Sequence, residues 1–468
     1  MTTILVCADA RVPDGLEISD ARVVVVDDLC RQLPKIGALV ADDESRLVVA
    51  IHSNHIDLGS VQAAVRRIGF NPLGVGIVDL QTVGASADMA VTLVAAMARS
   101  ASFVGAEPEQ VKLLPPDRST RRSLLSVGKQ RYIGAPTVDA SACHAADGCR
   151  VCVTNCPFDA LSWVRGSIEH DINACVVCGI CVTSCPAGAI ENPTSTRAGI
   201  ESEIRAAIEH AGGPIGIRFR CRGATVPAEQ GWYQVELPCT GMLTPGWVLA
   251  PIAMGANSVD VIACSSAGCQ LRNGDRTTAM LADAVAIADR FGLSLDPTTE
   301  PPLVRSDQRD LLGKGASSTL IDLLAPPGEQ IAMKLDVTDV GSVSIDPETC
   351  TACERCARVC PAGALLSAQS ENGIEITFDP SLCTACDSCL DVCPEIEHRA
   401  IEVNRGFDLA ERAGGRRQIR QEPTAMCEIC GGPVAPAAML ARIEAMLGED
   451  AAATMTMISR RCLNCRGR

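Results

Sequence analysis

Cys350 to Pro361 reads CTACERCARVCP, and Cys383 to Pro394 reads CTACDSCLDVCP. Each half spells C-x2-C-x2-C-x3-C-P, the ligand run of cubane iron-sulfur clusters. Three thiolates on one tight loop reach three irons of one cluster. The fourth Cys, three residues on and followed by proline, is carried away at a helix and ligates the other cluster. The expected sets are Cys350, Cys353 and Cys356 with Cys393, and Cys383, Cys386 and Cys389 with Cys360. Pro361 and Pro394 steer the chain after the crossing ligand and remove a backbone donor there. A zinc site is the bland alternative. Zinc takes four ligands in two pairs, and eight cysteines in two sets of a triad plus one overshoot that need.

The run resembles that of bacterial-type dicluster ferredoxins, and it recurs between about 137 and 193. There CVVCGICVTSCP supplies Cys175, Cys178, Cys181 and Cys185, while CHAADGCRVCVTNCP puts five residues between Cys143 and Cys149 instead of two. A longer first spacing only enlarges the loop around one iron. The expected sets are Cys143, Cys149 and Cys152 with Cys185, and Cys175, Cys178 and Cys181 with Cys156; a three-iron cluster or a displaced ligand is the alternative at the first. Segments PTVDA, ALSWV, SIEHD and AIENP read as the paired strands of this unit, and SVSID, ALLSAQ, EITFD and AIEVNR as those of the later unit over 341–405.

A chain of 468 residues suggests about three domains. Aromatics make up 3%, so the cores must be aliphatic or organised around clusters. A net charge of -15 argues against wholesale nucleic-acid binding. No apolar run reaches the 18 or so residues of a spanning helix, and the N-terminus lacks a signal peptide's basic region and cleavage site. The expected location is the cytoplasm. The 26 cysteines sit in C-x2-C groups in a large chain without an export signal, which favours metal chemistry over disulfides.

Residues 1–130 read as one α/β unit with an open parallel sheet. Apolar runs ILVCA, ARVVVVDD and RLVVAIH alternate with helical SVQAAVRRIGF and SADMAVTLVAAMARSASF. No G-x-G-x-x-G follows any of these strands, so the dinucleotide fingerprint is absent. The unit resembles the N-terminal domain of the flavin-carrying subunit of heterodisulfide reductase, most clearly over RLVVAIHSNHIDLGSVQAAVRRIGFNPLGVGIVDL. That resemblance implies three cysteines, near the first strand, near the next strand and at the end of a later one. Cys7 and Cys30 stand at two, but His52 stands where the family has its third, and two small buried thiols in a docking domain is the preferred reading. Residues 112–137, Pro-bearing and locally basic, read as a linker.

Over 200–300 the helix GIESEIRAAIEHAG, the strands IGIRFRC, YQVELP and SVDVIA, and the amphipathic helix RTTAMLADAVAIADRFGL form another α/β domain. Cys221, Cys239, Cys264 and Cys269 fall at strand ends, where open α/β sheets place ligands. The layout resembles the delta subunit of methyl-viologen-reducing hydrogenase, whose PCSG and GC-x4-C motifs appear as PCTG and AC-x4-C. The resemblance implies a 2Fe-2S cluster on these cysteines. One family cysteine is Ala224 here, which still leaves the four thiolates that such a cluster takes. Unclustered buried cysteines, or zinc, are the alternatives.

Residues 301–340 read as a connector with one helix, SSTLIDLLA. Over 422–468, MCEICGGP and RRCLNCRGR pair Cys427 and Cys430 with Cys462 and Cys465 around the helix AAMLARIEAML. Two such knuckles make a four-thiolate centre whose commonest occupant is zinc, with rubredoxin-like iron as the alternative. Flanking arginines make this end basic, but without interleaved aromatics a nucleic-acid role is weak. His398, in a two-residue insertion after Cys393, reads as a solvated side chain.

The expected architecture is therefore α/β and α+β multidomain. An open α/β N-terminal domain precedes two bacterial-type dicluster ferredoxin units that flank an α/β two-iron domain, and a zinc ribbon closes the chain. There is no nucleophile elbow, P-loop or metal-binding His pair, and the flavin domain implied by the reductase resemblance is missing. Four 4Fe-4S clusters, one 2Fe-2S cluster and zinc describe a conductor without a substrate site. The resemblances imply an electron-transfer subunit of a heterodisulfide-reductase, hydrogenase or formate-dehydrogenase type of complex, relaying electrons between flavin- or metal-containing partners. The order of the units along the chain suggests an exit at the middle domain. A redox sensor and a nucleic-acid-associated iron-sulfur protein are the rival readings.

Overall fold

The computed structural model describes residues 2–8, 12, 16–40, 46–52, 56–81, 83, 86–103, 111–114, 131–222, 224, 226–262, 273–293, 295, 306, 310–447 and 452–466. β1 (Thr2–Cys7), β2 (Ala21–Val26), β3 (Arg46–Ile51) and β4 (Gly76–Asp79) form a parallel sheet in the order β2-β1-β3-β4. β1 and β3 are almost wholly buried, as expected of central parallel strands with both faces covered. α1 (Ile36–Leu39) lies between β2 and β3, α2 (Leu58–Arg67) between β3 and β4, and α3 (Ser86–Ala101) follows β4. Asp57 caps α2 by accepting from the Ser60 N–H at 3.0 Å. Leu93 of α3 packs on this sheet, whereas Val91 and Ala95 pack into the core of the middle domain.

The ends of the expected linker are structured. β5 (Val111–Leu114) and β6 (Arg131–Gly134) pair antiparallel, and Gln62 of α2 exchanges two 2.9 Å hydrogen bonds with the Tyr132 backbone. Strands of four residues are too short to give a periodic signal; residues 115–130 lie outside the described residues.

The first ferredoxin-like unit holds β7 (Thr137–Val138), α4 (Val151–Thr154), β8 (Leu161–Val164), β9 (Ser167–His170), α5 (Ile180–Ser184) and β10 (Ile190–Glu191). β7 pairs with β10 and β8 with β9, all antiparallel. The β8-β9 turn places Arg165 and Gly166 at φ 48° and 85°, the two-residue geometry that matches strand twist.

The middle domain follows with α6 (Arg197–His210), β11 (Gly216–Cys221), β12 (Trp232–Leu237), α7 (Pro245–Met254), β13 (Ser258–Ile262), α8 (Gly274–Arg290) and α9 (Ala316–Leu324). Its sheet, β12-β11-β13, is parallel throughout. α7 is apolar all round and entirely buried, so it is a core helix rather than an amphipathic one. One continuous core joins α3, α6, α7, α8, α9 and Ile180 of the first ferredoxin-like unit.

The remaining elements are β14 (Ala332–Lys334), β15 (Gly341–Ile345), α10 (Arg355–Val359), β16 (Leu365–Ser370), β17 (Gly373–Phe378), α11 (Ser388–Asp391), β18 (Ile401–Asp408), α12 (Leu409–Ala413), β19 (Arg417–Glu422), β20 (Thr424–Met426), β21 (Pro433–Pro436), α13 (Ala437–Leu447) and α14 (Ala452–Arg460). β14, from the expected connector, is an edge strand on β18 of the second ferredoxin-like unit, and β19 extends its β16-β17 hairpin. Arg412, nearly buried, locks α9 to this unit through Asp322, Ser318 and the Pro380 carbonyl. Among the described residues no helix is long and apolar enough to cross a membrane.

Candidate electron-transfer centres

The loops that begin at Cys175, Cys350 and Cys383 share a backbone that their sequences should resist. Val177, Ala352 and Ala385, each just before the second cysteine, sit at φ 55°, 51° and 48°. The residues just after it, Gly179, Glu354 and Asp387, sit at 83°, 61° and 61°. Left-handed backbone costs a non-glycine residue about 1–2 kcal/mol, and a β-branched residue there is a true outlier. Such strain persists where function over-determines it. Here it turns N–H groups towards sulfur: Val177 donates to Cys175 Sγ at 3.3 Å and Ala352 to Cys350 Sγ at 3.4 Å. Successive inward N–H groups make a concavity suited to an anion.

α5, α10 and α11 carry the third cysteines, Cys181, Cys356 and Cys389, and at or just after their ends stand Cys185, Cys360 and Cys393. Each crossing cysteine faces the other loop. Cys185, Cys149 and Cys143 add to the rise in the Cys152 thiol, and Cys350, Cys353 and Cys393 to that in Cys356. One hollow is lined by Cys350, Cys353, Cys356 and Cys393; a second by Cys360, Cys383, Cys386 and Cys389; a third by Cys156, Cys175, Cys178 and Cys181.

The chemistry of these quartets fits an iron-sulfur core. Burial pushes Cys152, Cys356 and Cys383 up to about 12 and Cys178 up to about 11, and neighbouring sulfurs add to the shift. Cys181 and Cys389 are raised further, again by burial first. Four such thiols facing one hollow ionise together only around concentrated positive charge.

The first triad is built differently. A turn over His144–Asp147 takes up the three extra residues between Cys143 and Cys149; Gly148, just before the second cysteine, keeps the left-handed backbone at φ 102°, whereas Arg150, just after it, sits at φ -134°. Cys185, Cys149 and Cys143 are nevertheless all near enough to Cys152 to add to the rise in its thiol.

Arginines from other elements hold the strained loops. Arg222, next to the end of β11, donates to the Val176 and Val177 carbonyls at 2.6 and 3.0 Å. Arg405 of β18 donates to the equivalent Ala385 carbonyl at 2.7 Å and pairs with Asp387. Arg420 of β19 reaches the Cys350 carbonyl at 3.5 Å and opposes the rise that burial imposes on that thiol. None of these arginines carries a local sequence signal.

In the middle domain, Cys221 ends β11 and Cys239 follows β12, both at the carboxyl edge of the parallel sheet beside its central strand. Cys239 is buried, and its sulfur accepts from the Gly241 N–H at 3.3 Å and Asn273 Nδ2 at 3.7 Å. Cys264 and Cys269 lie outside the described residues. The Thr183 hydroxyl donates to the Met242 carbonyl at 2.6 Å, and a side chain at Gly179 would meet Met242 Sδ at 2.8 Å. The middle domain therefore packs directly on the Cys175 loop.

In the N-terminal unit the Cys7 and Cys30 sulfurs are 3.8 Å apart and buried, and the His52 N–H donates to Cys30 Sγ at 3.4 Å. At the C-terminal end, Cys427, Cys430, Cys462 and Cys465 have sulfurs all within 4.8 Å of one another, with Cys430 and Cys462 3.6 Å apart. Among the described residues no ferredoxin quartet is so tight. Backbone N–H groups of Cys462 and Cys430 pull Cys427 down to about 6. His398 is exposed and contacts Arg442.

Three sequence families match parts of the chain. Residues 342–394 match a 4Fe-4S dicluster domain, and 167–190 match a 4Fe-4S binding domain. Residues 224–293 match the delta subunit of methyl-viologen-reducing hydrogenase. Comparison with curated proteins finds no match. Together with the sulfur-lined hollows, these matches define an iron-sulfur protein of the electron-transfer class. More particularly, it joins a 4Fe-4S dicluster domain and a 4Fe-4S binding domain to a segment similar to the delta subunit of a hydrogenase.

Proposed function

We propose that this chain is the multi-cluster relay of a cytoplasmic oxidoreductase complex, with four cubane-binding quartets. They are Cys143, Cys149, Cys152 and Cys185; Cys175, Cys178, Cys181 and Cys156; Cys383, Cys386, Cys389 and Cys360; and Cys350, Cys353, Cys356 and Cys393. Bound clusters supply one-electron steps, with potentials set by charge, sulfur hydrogen bonds and exposure. The chain's contribution is to hold the quartets in succession. The observation that carries this reading is the pair of contacts between units: Thr183, on the helix that carries Cys181, donates to the Met242 carbonyl of the middle domain at 2.6 Å, and Ser388 Oγ lies 3.6 Å from Cys386 Sγ and 3.9 Å from Cys149 Sγ.

With those contacts, the exit at the middle domain suggested by chain order becomes one end of the relay rather than its midpoint. The two ferredoxin-like units meet each other, and the middle domain flanks the first. The order in space becomes middle domain, Cys178 quartet, Cys149 quartet, Cys386 quartet, Cys350 quartet. We assign the middle domain a 2Fe-2S cluster on Cys221, Cys239, Cys264 and Cys269, and a docking role for a flavin- or metal-containing partner. The N-terminal unit, similar to that of the flavin-carrying heterodisulfide reductase chain, is assigned to partner docking.

The terminal knuckles are assigned to zinc. A tetrahedron with Zn–S bonds of about 2.3 Å has sulfur-sulfur edges of about 3.8 Å, close to the 3.6 Å between Cys430 and Cys462. The test of the relay is anaerobic purification with iron and acid-labile sulfide counting. Four cubanes supply about sixteen of each; a total near eight or fewer contradicts the assignment.

A further inference from the structure

The two ferredoxin-like units meet at one buried hydroxyl. Ser388 opens α11, between Cys386 and Cys389, and is 2% exposed. Its Oγ lies 3.6 Å from Cys386 Sγ in its own loop and 3.9 Å from Cys149 Sγ in the other unit, 239 residues away. Around it, Gly148 beside Cys149 faces the Val359 side chain of α10, with a Cβ position 3.9 Å from Val359 Cγ2.

Once both sulfurs are ionised for ligation, neither can donate, so the hydroxyl is the donor, and it has a single proton to give. Leaving that proton without an acceptor in a buried site is costly. Cys386, the nearer of the two sulfurs to the hydroxyl, already receives the backbone N–H of Ser388. The hydroxyl is the group of this loop that faces across the boundary.

We propose that Ser388 is a positioning and tuning residue for the other unit's cluster. It donates across the domain boundary to Cys149 and makes the Cys149 and Cys386 quartets the interdomain step of the relay. This rests on the relay reading and deepens it. Part of the charge added on reduction falls on the ligand sulfurs, so a hydrogen bond there favours the reduced form and raises the potential.

The test compares Ser388→Ala, Ser388→Thr and the parent full-length chain by redox-monitored EPR after iron counting, with Cys143→Ser identifying the signal of the Cys149 quartet. Expected are unchanged iron, a lower potential for that signal in Ser388→Ala, and a parental potential in Ser388→Thr. Unchanged potentials, or a shift confined to the Cys383–Cys389 loop's own cluster, overturn the proposal while leaving the relay standing. A parent chain without cubane signals overturns both.

Discussion

Arg222 and Val177 are tied across a domain boundary: the guanidinium of the middle domain donates to the carbonyl of the residue forced into left-handed backbone beside Cys178. Arg405 repeats the arrangement on Ala385 from within its own unit. A charge-assisted hydrogen bond contributes about 1.5–3 kcal/mol, comparable to the strain of one such residue. Arg405→Met should therefore weaken cluster retention at Cys383, Cys386, Cys389 and Cys360, with loss of about four irons per chain during aerobic gel filtration. Arg222→Met should do the same at the Cys175 loop and loosen the middle domain. Iron retention equal to the parent's would remove the clamp role.

Crossed ligation makes a prediction that proximity in sequence does not. Cys360→Ser should damage the cluster whose loop starts at Cys383, because Cys360 lines that hollow and not the one with Cys350. Loss of the nearer cluster's EPR signal instead would show the pairing to be wrong.

The C-terminal quartet should bind one metal ion and no sulfide. Treatment with a chelator, or Cys462→Ser, should release one zinc and leave the visible absorbance of the clusters intact. Acid-labile sulfide retained by Cys427, Cys430, Cys462 and Cys465 after cluster removal would overturn the zinc assignment.

A buried ion pair joins α3 to the middle domain: Arg99 Nη1 lies 2.7 Å from Glu203 Oε2, and the Tyr233 hydroxyl donates to Glu203 at 3.0 Å. Burial raises the Glu203 carboxyl, and Arg99 opposes the rise. A raised carboxyl stabilises the fold most at low pH and loses that contribution as pH climbs from the ordinary glutamate value through the raised one. Arg99→Met widens the window, since Glu203 then lacks its counter-ion. The variant should be destabilised by about 3 kcal/mol at neutral pH and by less near pH 5, read as the shift in urea midpoint. An equal shift at both values would mean that the pair is not coupled to proton binding.

The cysteine groups that line three hollows were legible because most of their members are local, three cysteines on one loop. The parallel order of β1 and β3 was legible from their unbroken apolar runs, and Cys7, at the end of β1, and Cys30, in the turn after β2, are both buried as read. What escaped the sequence was distant or short. Ser388 and Cys149, or Arg222 and Val177, meet only through domain packing. Chain order misled about space, because the middle domain is inserted between two ferredoxin-like units that nonetheless touch. β5 and β6 were hidden by their four-residue length, and β14 and β19 by lying outside the expected ferredoxin boundaries while pairing with its strands.

The most direct test of the relay is relaxation-resolved EPR of the fully reduced chain. If the quartets stand in succession as the Cys178, Cys149, Cys386 and Cys350 positions require, every cubane signal will be broadened and fast-relaxing through a paramagnetic neighbour, and removing the Cys149 cluster will sharpen signals from both units. Four magnetically isolated signals, each indifferent to loss of the others, would contradict the account.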